Sequence, residues 1–134
     1  DTALIASASI ALKKSLENME ERRISVIDKN NRIVEYLKGK KDITINSNDN
    51  SIPYIINFSV QNKKSNDLQK RLNDSEIYVS TKTSCCPIET PSKLVYAVTK
   101  NNGLASSSIR LSLSHLTTNV EIDKFIAVMN NIIG

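Results

Sequence analysis

Two cysteines stand side by side, Cys85 and Cys86, within residues 78–92, YVSTKTSCCPIETPS, and they are the only thiols of the 134-residue chain. A short apolar run (Ile77, Tyr78, Val79) leads into four hydroxyl side chains, Ser80, Thr81, Thr83 and Ser84. Pro87 and Pro91 follow, which neither a helix interior nor a central strand tolerates. A thiol on a loop at the end of a strand can move while its scaffold stays fixed. The nucleophile is the thiolate; a free cysteine has a pKa of about 8.5, and a nearby cation or helix N-terminus lowers it. Lys82 is close in sequence to Cys85. Composition alone favours a surface loop with an incidental Cys-Cys pair. The second candidate is Arg110, set among serines on an alternating stretch; its fork of donors suits a planar carboxylate, though a solvated surface arginine has the same local sequence. His115, the only histidine, reads as a structural or surface residue. Two adjacent thiols and one distant imidazole give no usable zinc set, so no metal is expected. No nucleophile-elbow motif supports a serine triad.

The elements that must position these residues follow from periodicity. Ile5, Leu12, Leu16 and Met19 share a helical face, and Ile27, Val34 and Leu37 resume it after the charged stretch 20–23, where a break is expected. Gly39 is placed to end that helix. A short strand near 43–45 and a turn at SNDN precede PYIINFSV (53–60), with Tyr54, Ile56 and Phe58 on one face and Ile55, Asn57 and Ser59 on the other. Asn57 sits in an apolar run, where its amide needs partners. A helix capped by Ser65 or Asn66 runs to 73 through Leu68 and Leu72, and a strand is expected at 77–80. Pro91 suits the first position of a helix to 100 that buries Leu94, Val95 and Val98, with NNG (101–103) ending it. In 108–114, Ile109, Leu111 and Leu113 face inward while Ser108, Arg110, Ser112 and Ser114 face outward. Thr118 or Asn119 caps a last helix carrying Ile122, Phe125, Ile126, Met129 and Ile133 on its apolar face. The pattern predicts a single α+β domain over 1–134, a small two-layer sandwich with a mainly antiparallel sheet covered by helices.

Composition narrows the function. The net charge of +4 is spread along the chain, and no basic stripe interleaved with aromatics suggests nucleic acid. No apolar run is long enough to span a bilayer, so no membrane partner is expected. Unpaired adjacent thiols suggest a reducing, cytoplasmic setting. A start at Asp1, directly in a helical pattern, suggests a fragment of a longer protein.

Ser80-Thr81-x-Thr83-x-Cys85, followed by Pro91-Ser92-x-x-Val95, resembles the cysteine loop of NifS-like cysteine desulfurases, which are class V aminotransferase-like, fold-type I pyridoxal-phosphate enzymes. SSIRLSL (107–113) with Thr117-Thr118-x-x-Glu121-Ile122-Asp123 resembles the segment in which the family's arginine holds the substrate α-carboxylate, and Pro53-x-Ile55-x-Asn57-x-Ser59 matches a third family segment. The resemblance covers nearly the whole chain and implies a C-terminal small domain. It also implies a function: conversion of L-cysteine to L-alanine, with Arg110 gripping the substrate and Cys85 taking the sulfur as a persulfide. A sulfur-acceptor protein for iron–sulfur cluster assembly or thiolation would then receive it. Pyridoxal phosphate is expected on a large domain of the same protein that this chain lacks, so the chain alone is expected to be inactive, and the full-length protein to be a homodimer. Cys86, where relatives carry a small residue, either resolves a persulfide or simply replaces a serine; the second is the reading adopted. Lys82 replaces a usual Gly, Ser106 a frequent His, and His115 a frequent Arg. Two other readings stand beside this one: a thiol-bearing binding module without chemistry, and a related class V enzyme acting on another amino acid.

Overall fold

The computed structural model describes residues 1–48, 50–82 and 90–133; Cys85, Cys86 and Pro87 lie outside the described residues. Among those described, six helices accompany a three-stranded antiparallel sheet in the order β1-β2-β3. Asp1 opens α1 (Thr2–Glu17) by accepting a hydrogen bond from the Ala3 amide at 3.0 Å. The helical run breaks at Asn18, ahead of the charged stretch where the break was expected, and α2 (Met19–Lys38) begins with Glu20 and Glu21 in its first turn. Acidic side chains there complement the helix dipole, so the charges start the second helix rather than interrupt the first. Gly39 caps α2 with φ −73°, an ordinary right-handed conformation.

Strands β1 (Ile43–Ile45), β2 (Ile55–Val60) and β3 (Ser108–Ser112) form a sheet with Ile56, Phe58, Ile109 and Leu111 on one face, and Leu113, just after β3, joins them in the core. Against that face pack Val26, Ile33 and Leu37 of α2, Leu68 and Leu72 of α3 (Ser65–Asn73), and Ile122, Phe125, Met129 and Ile132 of α6 (Asn119–Ile133). Phe58 meets Phe125 edge-on, with ring centroids 6.4 Å apart. Ile132, rather than Ile133, is the buried residue at the end of α6. The two-layer α+β arrangement is the one the pattern predicts, with helices filling one face of the sheet.

Four expectations are corrected. The strand at 77–80 contracts to a single bridge, Ser80 to Arg110. Glu76, at φ +59°, turns the chain after α3, and the Ile77 amide is still bonded to the Leu72 carbonyl, so the segment reaches the sheet only at its end. Pro91 precedes the helix, because Ser92 is the cap of α4 (Lys93–Thr99). Leu94 and Val98 are 70% and 77% exposed, leaving Val95 as the buried residue of α4. The NNG run opens a further helix, α5 (Asn102–Ser106), because the Asn101 side chain accepts from the Leu104 amide while Lys100, at φ +52°, closes α4. Helix α5 covers the end of the second sheet face, which is why Ser59 and Ser108 are buried: their hydroxyls donate to the Leu104 and Ala105 carbonyls.

Helix α1 has no buried residue, and Leu4, Ile5, Leu12 and Leu16 are all exposed. Its apolar face therefore lies outside this core. Phe58→Ala is expected to cost about 3–5 kcal/mol of unfolding free energy in urea titrations, whereas Leu12→Ala should stay within about 0.5 kcal/mol. A large loss at Leu12 would place α1 in the core.

At the start of α6, Thr118 and Glu121 form a reciprocal cap: the Thr118 amide and hydroxyl donate to Glu121 Oε2 (2.6 and 2.9 Å), and the Glu121 amide donates to Thr118 Oγ1 (3.2 Å). The backbone hydrogen bond from Thr118, with its hydroxyl second, holds the Glu121 carboxyl below its ordinary value. A lowered folded-state pKa stabilises the protein above the unfolded glutamate value and loses that contribution as pH falls through the folded one. Stability measured by urea titration across the acid range should therefore fall less steeply in Glu121→Gln than in the parent chain.

Candidate functional site

Arg110 lies at the middle of β3, opposite Asn57 of β2. Its amide donates to the Ser80 carbonyl (2.6 Å) and its carbonyl accepts from the Ser80 amide (3.0 Å). With both main-chain groups turned to Ser80, the pairing with Asn57 is of the non-hydrogen-bonded kind, in which facing side chains come closest. Asn57 in turn has the partner its position demands: Asn46 Nδ2 donates to Asn57 Oδ1 and to Ser59 Oγ, each at 2.8 Å. The Asn57 amide donates to Ser47 Oγ at 2.8 Å. The chain just after β1 therefore fixes the face on which Arg110 stands. Asn46 Oδ1 is buried and makes no hydrogen bond among the described residues.

These residues border an open groove of about 550 Å³ whose lining includes Asn46, Asn57 and Arg110 from the sheet side and Lys93, Leu94 and Val98 from α4. The exposed apolar pair of α4 thus faces a groove, not solvent at large. Thr81 and Lys82, which lead into residues 83–89, and Ser92, which follows them, line the same groove. Arg110 is half-buried, and its guanidinium has neither an ion pair nor a hydrogen bond among the described residues. Lys82 and Lys93 are the other charged lining groups, and no carboxylate lines the groove among the described residues. A groove lined by three cations and, among the described residues, by no carboxylate makes a place for an anion, and the guanidinium is the one group there that binds a carboxylate with two parallel hydrogen bonds.

The expected site residues divide accordingly. Arg110 is at the groove, and both approaches to the Cys85 loop reach it; Cys85 and Cys86 themselves lie outside the described residues. His115 is exposed and away from the groove, with its carbonyl accepting from Lys29 Nζ at 3.2 Å. Sequence reasoning missed Asn46 and Lys93. Asn46 had a signal, since the unpaired amide of Asn57 required a partner from a neighbouring strand.

The Aminotransferase class-V family profile matches residues 2–125. The chain belongs to that family. It is 31% identical over 134 residues to a "NifS/IcsS protein homolog" of Lactobacillus delbrueckii subsp. bulgaricus, covering 97% of this chain and 34% of that protein. It is 37% identical over 87 residues to the "Cysteine desulfurase IscS" of Pseudoalteromonas translucida, covering 64% of this chain and 21% of that protein. A solved structure titled "NIFS-LIKE PROTEIN" superposes with a TM-score of 0.78 at 22% identity, over 93% of this chain and 32% of its own. The chain thus spans about a third of the length of these relatives, and the NifS-like resemblance seen in the cysteine loop and in SSIRLSL agrees with them. Among the described residues, no helix is long and apolar enough to cross a membrane.

Because the Arg110 side chain has no partner to lose among the described residues, Arg110→Ala should leave unfolding free energy within about 0.5 kcal/mol of the parent. Asn46→Ala strips the donor from Asn57 and Ser59 together and should cost about 1–3 kcal/mol. Equal costs for the two, in urea titrations, would contradict the hydrogen-bond assignment.

Proposed function

We propose that this chain is the C-terminal small domain of a pyridoxal-phosphate-dependent cysteine desulfurase, which converts L-cysteine to L-alanine and carries the sulfur as a persulfide on Cys85. One observation carries the reading: a half-buried arginine that has no counter-ion among the described residues lines a groove with no described carboxylate, and both approaches to the Cys85 segment line it too. In this reading Arg110 clamps the substrate α-carboxylate, and Asn57, held by Asn46, sets the side of the strand on which the guanidinium stands. The Cys85 thiolate forms a bond to the substrate sulfur as the substrate carbon–sulfur bond breaks. The persulfide then passes to an acceptor protein for iron–sulfur cluster assembly or thiolation. Leu94 and Val98 supply the apolar wall that limits water beside the reacting sulfur.

The described lining residues do not make a pyridoxal-phosphate site by themselves. None is an acid for the pyridine nitrogen, and neither Lys82 nor Lys93 lies in a Schiff-base motif. The cofactor is accordingly assigned to the two thirds of the family length that lies outside this chain, as is most of the homodimer contact.

The test uses the full-length enzyme. Arg110→Ala should lower kcat/KM for L-cysteine by about one to two decades, the worth of one charge-assisted pair. Cys85→Ser should abolish the persulfide detected by mass spectrometry, while Cys86→Ser keeps most of the activity. A persulfide trapped on Cys86, or an unchanged kcat/KM in Arg110→Ala, would overturn these roles.

A further inference from the structure

A second groove, larger than the first at about 750 Å³, runs between α2 and β1 and plays no part in the chemistry above. Its floor is Ile27 and Val34 of α2 with Ile43 and Ile45 of β1, and Arg23 and Lys38 also line it. Strand β1 is the edge of the sheet. Its inner side is defined by two hydrogen bonds: the Gln61 amide donates to the Asp42 carbonyl and the Asn46 amide to the Asn57 carbonyl, both at 2.8 Å. The register pairs Thr44 with Ser59, so Asp42, Thr44 and Asn46 turn their main-chain groups toward β2. By the alternation of an antiparallel ladder, Ile43 and Ile45 turn theirs outward. The Ile43 amide is bonded to the Lys40 carbonyl at 3.3 Å. That leaves the Ile43 carbonyl and both main-chain groups of Ile45 without a hydrogen bond among the described residues. Edge strands are commonly blunted by charge, proline or a bulge, and Ile-Thr-Ile carries no charge or proline.

The electrostatics select the occupant. No aspartate or glutamate lines the groove among the described residues. Arg23 pairs with Glu20 at 3.1 Å, but both side chains are more than half exposed, and such pairs are weak. Along α2, Arg23 and Lys38 are separated by about 22 Å at the rise of an α-helix. An extended chain of roughly seven residues spans the same distance.

We propose that the α2–β1 groove binds an extended acidic peptide segment, added to the sheet as a strand beside β1. Its main chain completes the hydrogen bonds of Ile43 and Ile45. Alternate aliphatic side chains point to the same face as Ile43 and Ile45, over Ile27 and Val34, and a carboxylate near each end meets Arg23 or Lys38. Main-chain pairing supplies affinity in this mode, and the side-chain pockets and charges supply selectivity.

The probe is an N-acetylated, C-amidated heptapeptide, Glu-Val-Thr-Val-Thr-Val-Glu, titrated into the ¹⁵N-labelled chain and compared with the same peptide carrying Lys at both ends. The expected result is saturable shifts centred on Ile43 and Ile45, with slowed hydrogen exchange at the Ile45 amide only when peptide is present. Ile45→Pro deletes that outward amide without removing a hydrogen bond from the β1·β2 ladder, and should abolish the shifts. The exposed double variant Arg23→Glu/Lys38→Glu, which disturbs no core residue, should weaken binding about tenfold or more. Absence of saturable shifts, equal binding of the Lys-ended peptide, or an Ile45 amide already protected in the free chain by a second copy or another segment would each overturn the proposal.

Discussion

Strand β3 has a neighbour on each edge at Arg110, Ser80 on one and Asn57 on the other, and the rest of the site depends on which of them takes its main-chain bonds. The two main-chain hydrogen bonds of Arg110 go to Ser80, and its side chain is left facing Asn57. Had the register shifted by one residue, Ile109 or Leu111 would stand in the groove and the guanidinium would enter the core. The buried face prevents that slip, because Ile109 and Leu111 are packed against helices on the far side. Packing on one face thus sets the chemistry on the other. The same bridge ties the start of the Cys85 loop to the strand that carries Arg110.

Polar satisfaction explains the other constraint. An asparagine in the middle of β2 would be costly unless paired, and Asn46, just after β1, satisfies it while also reaching Ser59. The cluster is fixed by the turn from β1 into the following loop, where Ser47 takes the Asn57 amide. One polar network therefore orients the floor of the groove. Helix α4 supplies its apolar wall.

Much of this was legible in the sequence. Alternation over 108–114 located β3 and its inward side, Leu68 and Leu72 marked α3, and Thr118 or Asn119 as the cap marked the start of α6. The family motifs singled out Arg110 before any coordinates. Helix α4 was misread for a physical reason: Leu94 and Val98, four apart, give the same periodic signal whether they face a core or a groove. The contraction of the strand at 77–80 was not legible, because the left-handed turn at Glu76 leaves no mark in a residue type that seldom adopts it. Asn46 was missed because an amide in a polar connection looks like any loop residue until its strand partner is known. Ser59 and Ser108 looked outward by alternation and were, but α5 covered them.

Helix α1 has a mechanical consequence. It ends at Asn18 and carries none of the core, yet it continues almost directly into α2, whose buried residues begin at Val26. Sixteen helical residues make an arm of about 24 Å. A rotation of about 10° at Asn18 displaces the far end by roughly 4 Å at that helical rise. Conversely, if the apolar face of α1 is held, the same small rotation swings the sheet and the Arg110 groove as one rigid piece. With α1 held, the tilt of the chain at Asn18 would set where the Arg110 groove stands.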